Sequence, residues 1–400
     1  MAATLSIAAD RPLRIAIAGI GALGAGLARQ ARETDGLRLV LMADSRRARA
    51  ENGAEAAGLP TRLTDSCAEV HRAICCGQVA LCQDLHLAAA CEAADVLVLA
   101  DLPPAEAAIL AEAALVAGTH VVMTDPSADL AYGAWLLDIA RAGDLGYALQ
   151  DGGAAGALWA LNRRLAGHGL VPQVAGILRA DPPQHREKSV LGCLSNALGG
   201  IARRDPLDLD SVDELLHLPQ TDADDALGLL TATHPDAAPA VFVRALAPDG
   251  TTCPGLTPDA QRDRHQLYHV PVPAGAAAIL DTARALPAAA PGTMLAPWFG
   301  SRSALVAFAA RDLVAGERLD GVQGKAAFGC TETLDGQTEY AMDEGLPLVL
   351  CDGLTLKRPM AAGQRIRLAD CIYSERDPRF ALWRKARHCP AVCGTALAAE

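Results

Sequence analysis

The stretch Leu13–Glu33, LRIAIAGIGALGAGLARQARE, limits the possible folds more than any other part of the chain. An apolar run, Leu13 to Ala18, reads as a strand. Gly19, Gly21 and Gly24 follow in G-x-G-x-x-G spacing, and Leu23, Leu27 and Ala31 then line one face of a helix. The three glycines have separate physical uses: a tight turn, a close backbone approach to a pyrophosphate, and close packing of helix on strand. The helix N-terminus presents unpaired N–H groups to phosphate. A second strand, in GLRLVLMADSRR, ends at Asp44, about 20 residues past the third glycine, where an acid meets a ribose hydroxyl. Together these features predict a dinucleotide site touching Gly19, Ile20, Gly21, Ala22, Leu23, Gly24, Asp44 and Ser45.

Strands and helices keep alternating. DVLVLAD, THVVMTD and LGYALQD read as strands, separated by the helices PAEAAILAEAALVAG and PSADLAYGAWLLDIARAG, the latter capped by Ser127. DSCAEVHRAICCGQVALCQDLHLAAA reads as helix, short strand, helix. Such alternation predicts an α/β, doubly wound parallel sheet of the Rossmann kind. Ligands of such sheets lie outside the strand carboxyl ends, so Ala100, Asp101, Leu102 and Thr124 are expected near the nicotinamide. Asp44 alone favours NAD, because a carboxylate accepts from a 2′-hydroxyl and repels a 2′-phosphate. Arg46 and Arg47 favour NADP, because guanidinium groups pair with phosphate. From these residues alone the two cofactors stand even.

The length, 400 residues, corresponds to two or three domains at about 100–200 residues each. The formal net charge of -12 argues against nucleic acid or an anionic membrane as partner, since both require basic patches. None of the 12 cysteines forms a C-x2-C pair; Cys75 and Cys76 are adjacent, and Cys389 and Cys393 are not spaced as a zinc site. Free thiols in a reducing compartment are expected, with no metal; His71 and His86 lack partners for one. The N-terminus has no signal-like apolar core, and no run approaches the ~20 apolar residues of a membrane span. A cytoplasmic protein is expected.

Near the C-terminus RDLVAGERLD, from Arg311, and RPMAAGQRIR, from Arg358, share the pattern R-x-x-x-A-G-x-R-[L/I], a repeated turn of the kind found in a pseudo-symmetric β unit. ALVAFAARDL and LPLVLCDGLTLKRP supply further β-type runs. With GIGALG, DSRR and YHVPVP, these segments make the chain resemble the 1-deoxy-D-xylulose 5-phosphate reductoisomerase-like oxidoreductases. In that arrangement a homoserine dehydrogenase-type Rossmann domain precedes a small α+β central domain and a SAF-like β module. The resemblance implies domains at 1–150, 151–300 and 301–400, a dimer, and NADP held by Arg46 and Arg47. The central region departs from it: Asp151 is the only acid in QDGGAAGALWAL, and Arg179 stands where a lysine is expected.

GILRADPPQHREKS delivers charged groups directly after a strand. Hydride transfer to a carbonyl needs an acid for the developing alkoxide, and Lys188 or His185 can supply it. Arg179 and Asp181 are expected to bind substrate, Arg179 through an anionic group, while Asp151 orients water or a hydroxyl. A Pro-broken solvated loop is the competing reading of this stretch. The acid-rich segment from Arg203 lacks EF-hand spacing and reads as a solvated helix and loops. His265 and His269 share a strand face opposite Tyr268. The expected activity is NAD(P)H-dependent hydride transfer on a small polar hydroxy-carbonyl substrate, by a dehydrogenase or a reductoisomerase. The alternative is a cofactor-binding homologue without turnover, acting as a sensor or partner subunit.

Overall fold

The computed structural model of the chain describes residues 11–218, 226–272, 275–322, 324–334 and 344–390. Part of the acid-rich segment (219–225), Pro273 of YHVPVP, and Cys393 lie outside them. In chain order come β1 (Leu13–Ala18), α1 (Ala22–Glu33), β2 (Leu37–Ala43), α2 (Arg47–Ala56), β3 (Thr61–Leu63), α3 (Cys67–Cys75), β4 (Val79–Cys82) and α4 (Leu85–Ala90). β5 (Val96–Leu99), α5 (Pro104–Val116), β6 (His120–Met123), α6 (Pro126–Ala142) and β7 (Tyr147–Leu149) continue the alternation. Next are α7 (Ala154–Gly167), β8 (Val171–Arg179), α8 (His185–Leu198), β9 (Ile201–Ala202), β10 (Leu207–Asp208) and β11 (Gly228–Thr233). Then follow β12 (Ala240–Leu246), β13 (Ala260–Arg262), β14 (His265–Pro271) and α9 (Ala276–Ala285). The last are β15 (Ser303–Ala309), β16 (Ala327–Thr333), β17 (Thr355–Leu356), β18 (Cys371–Ile372) and α10 (Pro378–His388).

These elements fall into two compact units that interleave along the chain. The first takes the described residues up to Thr124, Ile139–Ala148 and Gly275–Ala289. The second takes Asp125–Asp138 and the described residues of 149–274 and 290–400.

In the first unit a single sheet runs in the order β3-β4-β2-β1-β5-β6-β7, and its pairs from β3 through β6 are parallel. Strands covered on both faces read as unbroken apolar runs rather than alternating ones. Accordingly Ile15, Ile17, Leu41, Met42, Val96 and Val98 are all fully buried. The strand order turns outward in opposite directions from β1 and β5, so the crevice for a ligand opens where Gly19 and Ala100 end those two strands. α1 buries Gly24, Leu27, Ala28 and Ala31, one stripe at helical spacing. α9 returns to this unit and packs on α1 and β6.

In the second unit a mixed sheet runs β10-β11-β8-β12-β14-β13, with β9 on β11. β8 pairs in parallel with β11 and antiparallel with β12. One core on it gathers Val174, Leu178, Leu230, Phe242 and Leu267. α7 packs against β8 and β12, and α8 against β11, β15 and β16.

The repeated turn is reproduced in three dimensions. Leu313 and Met360, equivalent in the two copies, exchange both backbone hydrogen bonds with each other. The N–H of Gly316 reaches Leu356 O while that of its counterpart Gly363 reaches Ala309 O. Glu317 accepts from Val314 N, and Gln364 in the same place accepts from Ala361 N. These reciprocal bonds relate the copies by a local two-fold axis.

Four local expectations are corrected. Asp125 caps α6, accepting from Ser127 N at 2.6 Å, because a carboxylate two positions before Ser127 reaches the free N–H groups first. The segment read as a Pro-broken loop is a loop only to Gln184. At that residue a capping box starts α8: Gln184 N donates to Glu187 at 3.0 Å. In LPLVLCDGLTLKRP a 3₁₀ turn, Leu348–Leu350, and the two-residue β17 replace a long strand. The acid-rich segment likewise forms a 3₁₀ turn, Val212–His217, beside short strands.

Candidate functional site

The glycine turn of the first unit is built on close approaches. Gly19 has φ +89, and a Cβ there would lie 1.6 Å from Ala100 O. A Cβ on Gly24 would lie 2.1 Å from Gly19 O, so α1 can begin only on a strand end without side chains. Ile20 is buried, and Gly53 of α2 leaves room for it.

Asp44 faces inward. One carboxylate oxygen accepts from Ile20 N and the other from Arg46 N, both at 2.8 Å, and the residue is 4 % exposed. This acid fastens the turn to the end of β2. Arg46 is exposed and has no ion pair among the described residues, whereas Arg47 pairs with Glu51 at 2.7 Å within α2. Ser45 is exposed beside them. Thr124 is buried, and its hydroxyl donates to Leu99 O at 2.8 Å, tying β6 to β5.

Asp101 occupies the space above Gly21. It has left-handed backbone, φ 47, and its carboxylate accepts from Gly24 N at 2.8 Å. A Cβ on Gly21 would come within 2.6 Å of the Asp101 side chain. α1 has no side-chain cap of its own, since Gly21 is its N-cap, so Asp101 supplies the missing acceptor from the end of β5. Gly21 is therefore needed for the Asp101 carboxylate itself. The first N–H groups of α1, on Ala22 and Leu23, have no partner within the helix by geometry. The turn thus fits a pyrophosphate at Ala22 and Leu23, with Asp101 as a neighbouring anion.

The second unit has its own cavity of about 410 Å³, within the range of small-molecule sites. Its polar wall contains Asp151, Arg179, Asp181, Arg186 and Glu187, and its apolar wall contains Ile177, Val190, Pro239 and Val272. Folding brings the polar residues together through three element ends, the turn before α7, the end of β8 and the first turn of α8, while Pro239 precedes β12 and Val272 follows β14. Asp151 is buried and accepts from Gly153 N at 2.9 Å and from Ala155 N and Gly156 N at 3.4 Å, capping α7. Its carboxylate lies 3.8 Å from the half-exposed Arg186 guanidinium. Arg179 pairs with Glu187, and its buried Nε has no acceptor among the described residues. An unsatisfied buried donor costs about 1–3 kcal/mol.

Asp151, Arg179 and Asp181 therefore share one cavity. Lys188 and His185 are not in its wall. Lys188 Nζ donates to Gly329 O at 2.9 Å, an anchor of α8 to β16, and His185 opens α8 with its carbonyl accepting from Ser189. His185 and Lys188 flank the Arg186–Glu187 pair on either side, each about 100° further round the helix, and fall outside the face that lines the cavity. Arg186 is a cavity residue that the sequence reading passed over, and Glu187 is one that it brought to this edge without a role; the spacing Gln184-x-x-Glu187 is a capping box and locates the helix that aims them. His269 serves the sheet, its ring pairing with Asp259 at 3.2 Å. His71 and His86 lie on exposed helix surface, the former bonded to Cys67 O.

No family model and no curated relative matches the sequence. Solved structures do align with it. An oxidoreductase from Thermotoga maritima is 14 % identical, covering 72 % of this chain and 92 % of its own at TM-score 0.43. A 3-ketoreductase from Actinomadura kijaniata, solved with NADP and TDP-benzene, is 13 % identical over 71 % of this chain and 91 % of its own, TM-score 0.40. A dihydrodipicolinate reductase from Paenisporosarcina, solved with dipicolinate, is 10 % identical over 69 % and 94 %, TM-score 0.41. Among the described residues no helix is long and apolar enough to cross a membrane.

Proposed function

We propose that the chain is an NAD(P)H-dependent oxidoreductase acting on a small polar hydroxy-carbonyl compound. The observation that carries this reading is the turn at the β1/β5 switch point. There Gly19 and Gly24 permit backbone contacts that a Cβ would prevent, and the leading N–H groups of α1 face a parallel-sheet crevice. When bound, the nicotinamide would donate or accept the hydride. The chain's own residues would hold the cofactor. Ala22 N and Leu23 N would take the pyrophosphate, and Asp44 would keep Ile20 and Arg46 in register.

NADP is the favoured cofactor. Both Asp44 oxygens already accept backbone N–H groups, which weakens its claim on a ribose hydroxyl, while the exposed Arg46 is free of ion pairs among the described residues. The cavity around Arg179 is the proposed substrate site. A reductoisomerase-like reaction, the SAF-like identity of the C-terminal repeat, the three-domain division and a dimer belong to the same proposal. The repeat's local two-fold pairing supports the SAF-like reading.

Titration of the full chain with NADPH and NADH, followed by nicotinamide fluorescence, tests the proposal. Tighter binding of NADPH is expected, with Arg46→Ala weakening NADPH about tenfold, since a charge-assisted contact contributes about 1.5–3 kcal/mol before solvent screening. NADH binding should change little. Binding of neither dinucleotide would refute the reading.

A further inference from the structure

Resting on the proposed substrate site, we infer that the cavity at the end of β8 takes a small organic acid, its carboxylate held between Arg179 and Arg186. The argument is an inventory of donors and acceptors. Asp151 is already satisfied by three backbone N–H groups at the start of α7. Glu187 is satisfied by Gln184 N and the Arg179 guanidinium. Those two acids are thus occupied, and the third acid of the wall, Asp181, is exposed to solvent, which screens its charge.

The donors are not. Arg179 Nε is buried without an acceptor, and Arg186 has only the long 3.8 Å approach to Asp151. A carboxylate presents two oxygens in one plane and matches a guanidinium fork, so it uses these donors where a neutral hydroxyl would leave most of them unmet. The facing wall, with Ile177, Val190 and Val272, is aliphatic and suits a short carbon skeleton. Arg186 becomes a substrate-binding residue beside Arg179. The ligand class is an acid of a few carbons bearing an oxygenated carbon next to the carboxylate.

Isothermal titration of the full chain, without dinucleotide, tests this with three- to six-carbon 2-hydroxy and 2-oxo acids, the matching primary amides, and inorganic phosphate. At least one acid should bind ten times more tightly than its amide. Arg186→Met, on a half-exposed side chain, should weaken the acid more than the amide and remove that preference. Arg179→Lys, which keeps the charge and loses the fork, should weaken the acid severalfold. Equal binding of acid and amide, an acid affinity unmoved by Arg186→Met, no binding by any acid, or tighter binding of phosphate would each overturn the inference. Because no dinucleotide is present, acid binding by a chain that ignores NADPH would sink the cofactor proposal and leave this one standing.

Discussion

Asp101→Asn isolates the charge that Asp101 places at the start of α1. Asparagine tolerates the left-handed backbone and keeps an oxygen facing Gly24 N, so shape and hydrogen bond are retained while the negative charge is removed. Two opposite effects follow. The fold loses a charge-assisted bond at a helix N-terminus, a destabilisation of about 0.5–1 kcal/mol because the side chain is exposed to solvent. The cofactor site loses a like charge. A pyrophosphate held at Ala22 and Leu23 would neighbour the carboxylate, which bonds the next N–H along, on Gly24. A pair of unit charges about 5 Å apart repels by about 1–3 kcal/mol for effective dielectric constants of about 80 to 20. Screening favours the lower end, so NADPH and NADH should both bind about five- to thirtyfold more tightly to the variant. Fluorescence titration measures the affinity, and urea unfolding measures the stability. A variant that binds either dinucleotide no better, or more weakly, would refute the idea that Asp101 opposes the pyrophosphate and would make it a supporting residue of the site.

Other substitutions probe the frame. Gly19→Ala should abolish dinucleotide binding and lower the unfolding midpoint, since a methyl group 1.6 Å from Ala100 O forces β1 and β5 apart; normal binding in titration would count against the turn. Lys188→Met should cost about 1 kcal/mol of stability in urea, because the ammonium ties α8 to Gly329 O, and should leave NADPH and acid affinities unchanged. A selective loss of turnover would restore it as a proton donor. Burial pushes the His120 imidazole below its usual 6.5, and its Nδ1 accepts Gly146 N–H at 2.7 Å, a contact that protonation breaks. The unfolded chain therefore binds more protons, so His120 costs no stability above pH 6.5 and increasingly destabilises the fold as pH falls below it. Unfolding of His120→Gln at several pH values should show a shallower loss; an identical pH dependence would remove His120 as its source.

Much of the first unit was legible because its signals are local. A parallel strand buried on both faces is an apolar run wherever it sits, and Leu13–Ala18, Val96–Leu99 and His120–Met123 need no distant partner to be recognised. The glycine spacing works the same way, as Gly19 and Gly24 are required by contacts within one turn and its neighbouring strand. The repeat was legible as a pattern, though not as a two-fold pairing.

Side-chain direction was not legible. Asp44 and Asp101 both stand at strand ends where a ligand is expected, yet tertiary structure turns one onto Ile20 N and the other onto Gly24 N. α8 was hidden because two prolines precede it and the charged residues of its first turn resemble a loop; the helix becomes definite only when Gln184 and Glu187 close their capping box and its later residues are buried. That helix then sorts neighbours by angle, sending Arg186 and Glu187 to the cavity and Lys188 to β16. Sequence alone determined the elements and the turn, because both rest on contacts between residues near in the chain. Which charged group faces a ligand was decided by tertiary structure, because successive helical residues point about 100° apart and only packing decides which of them meet a cavity and which a neighbouring strand.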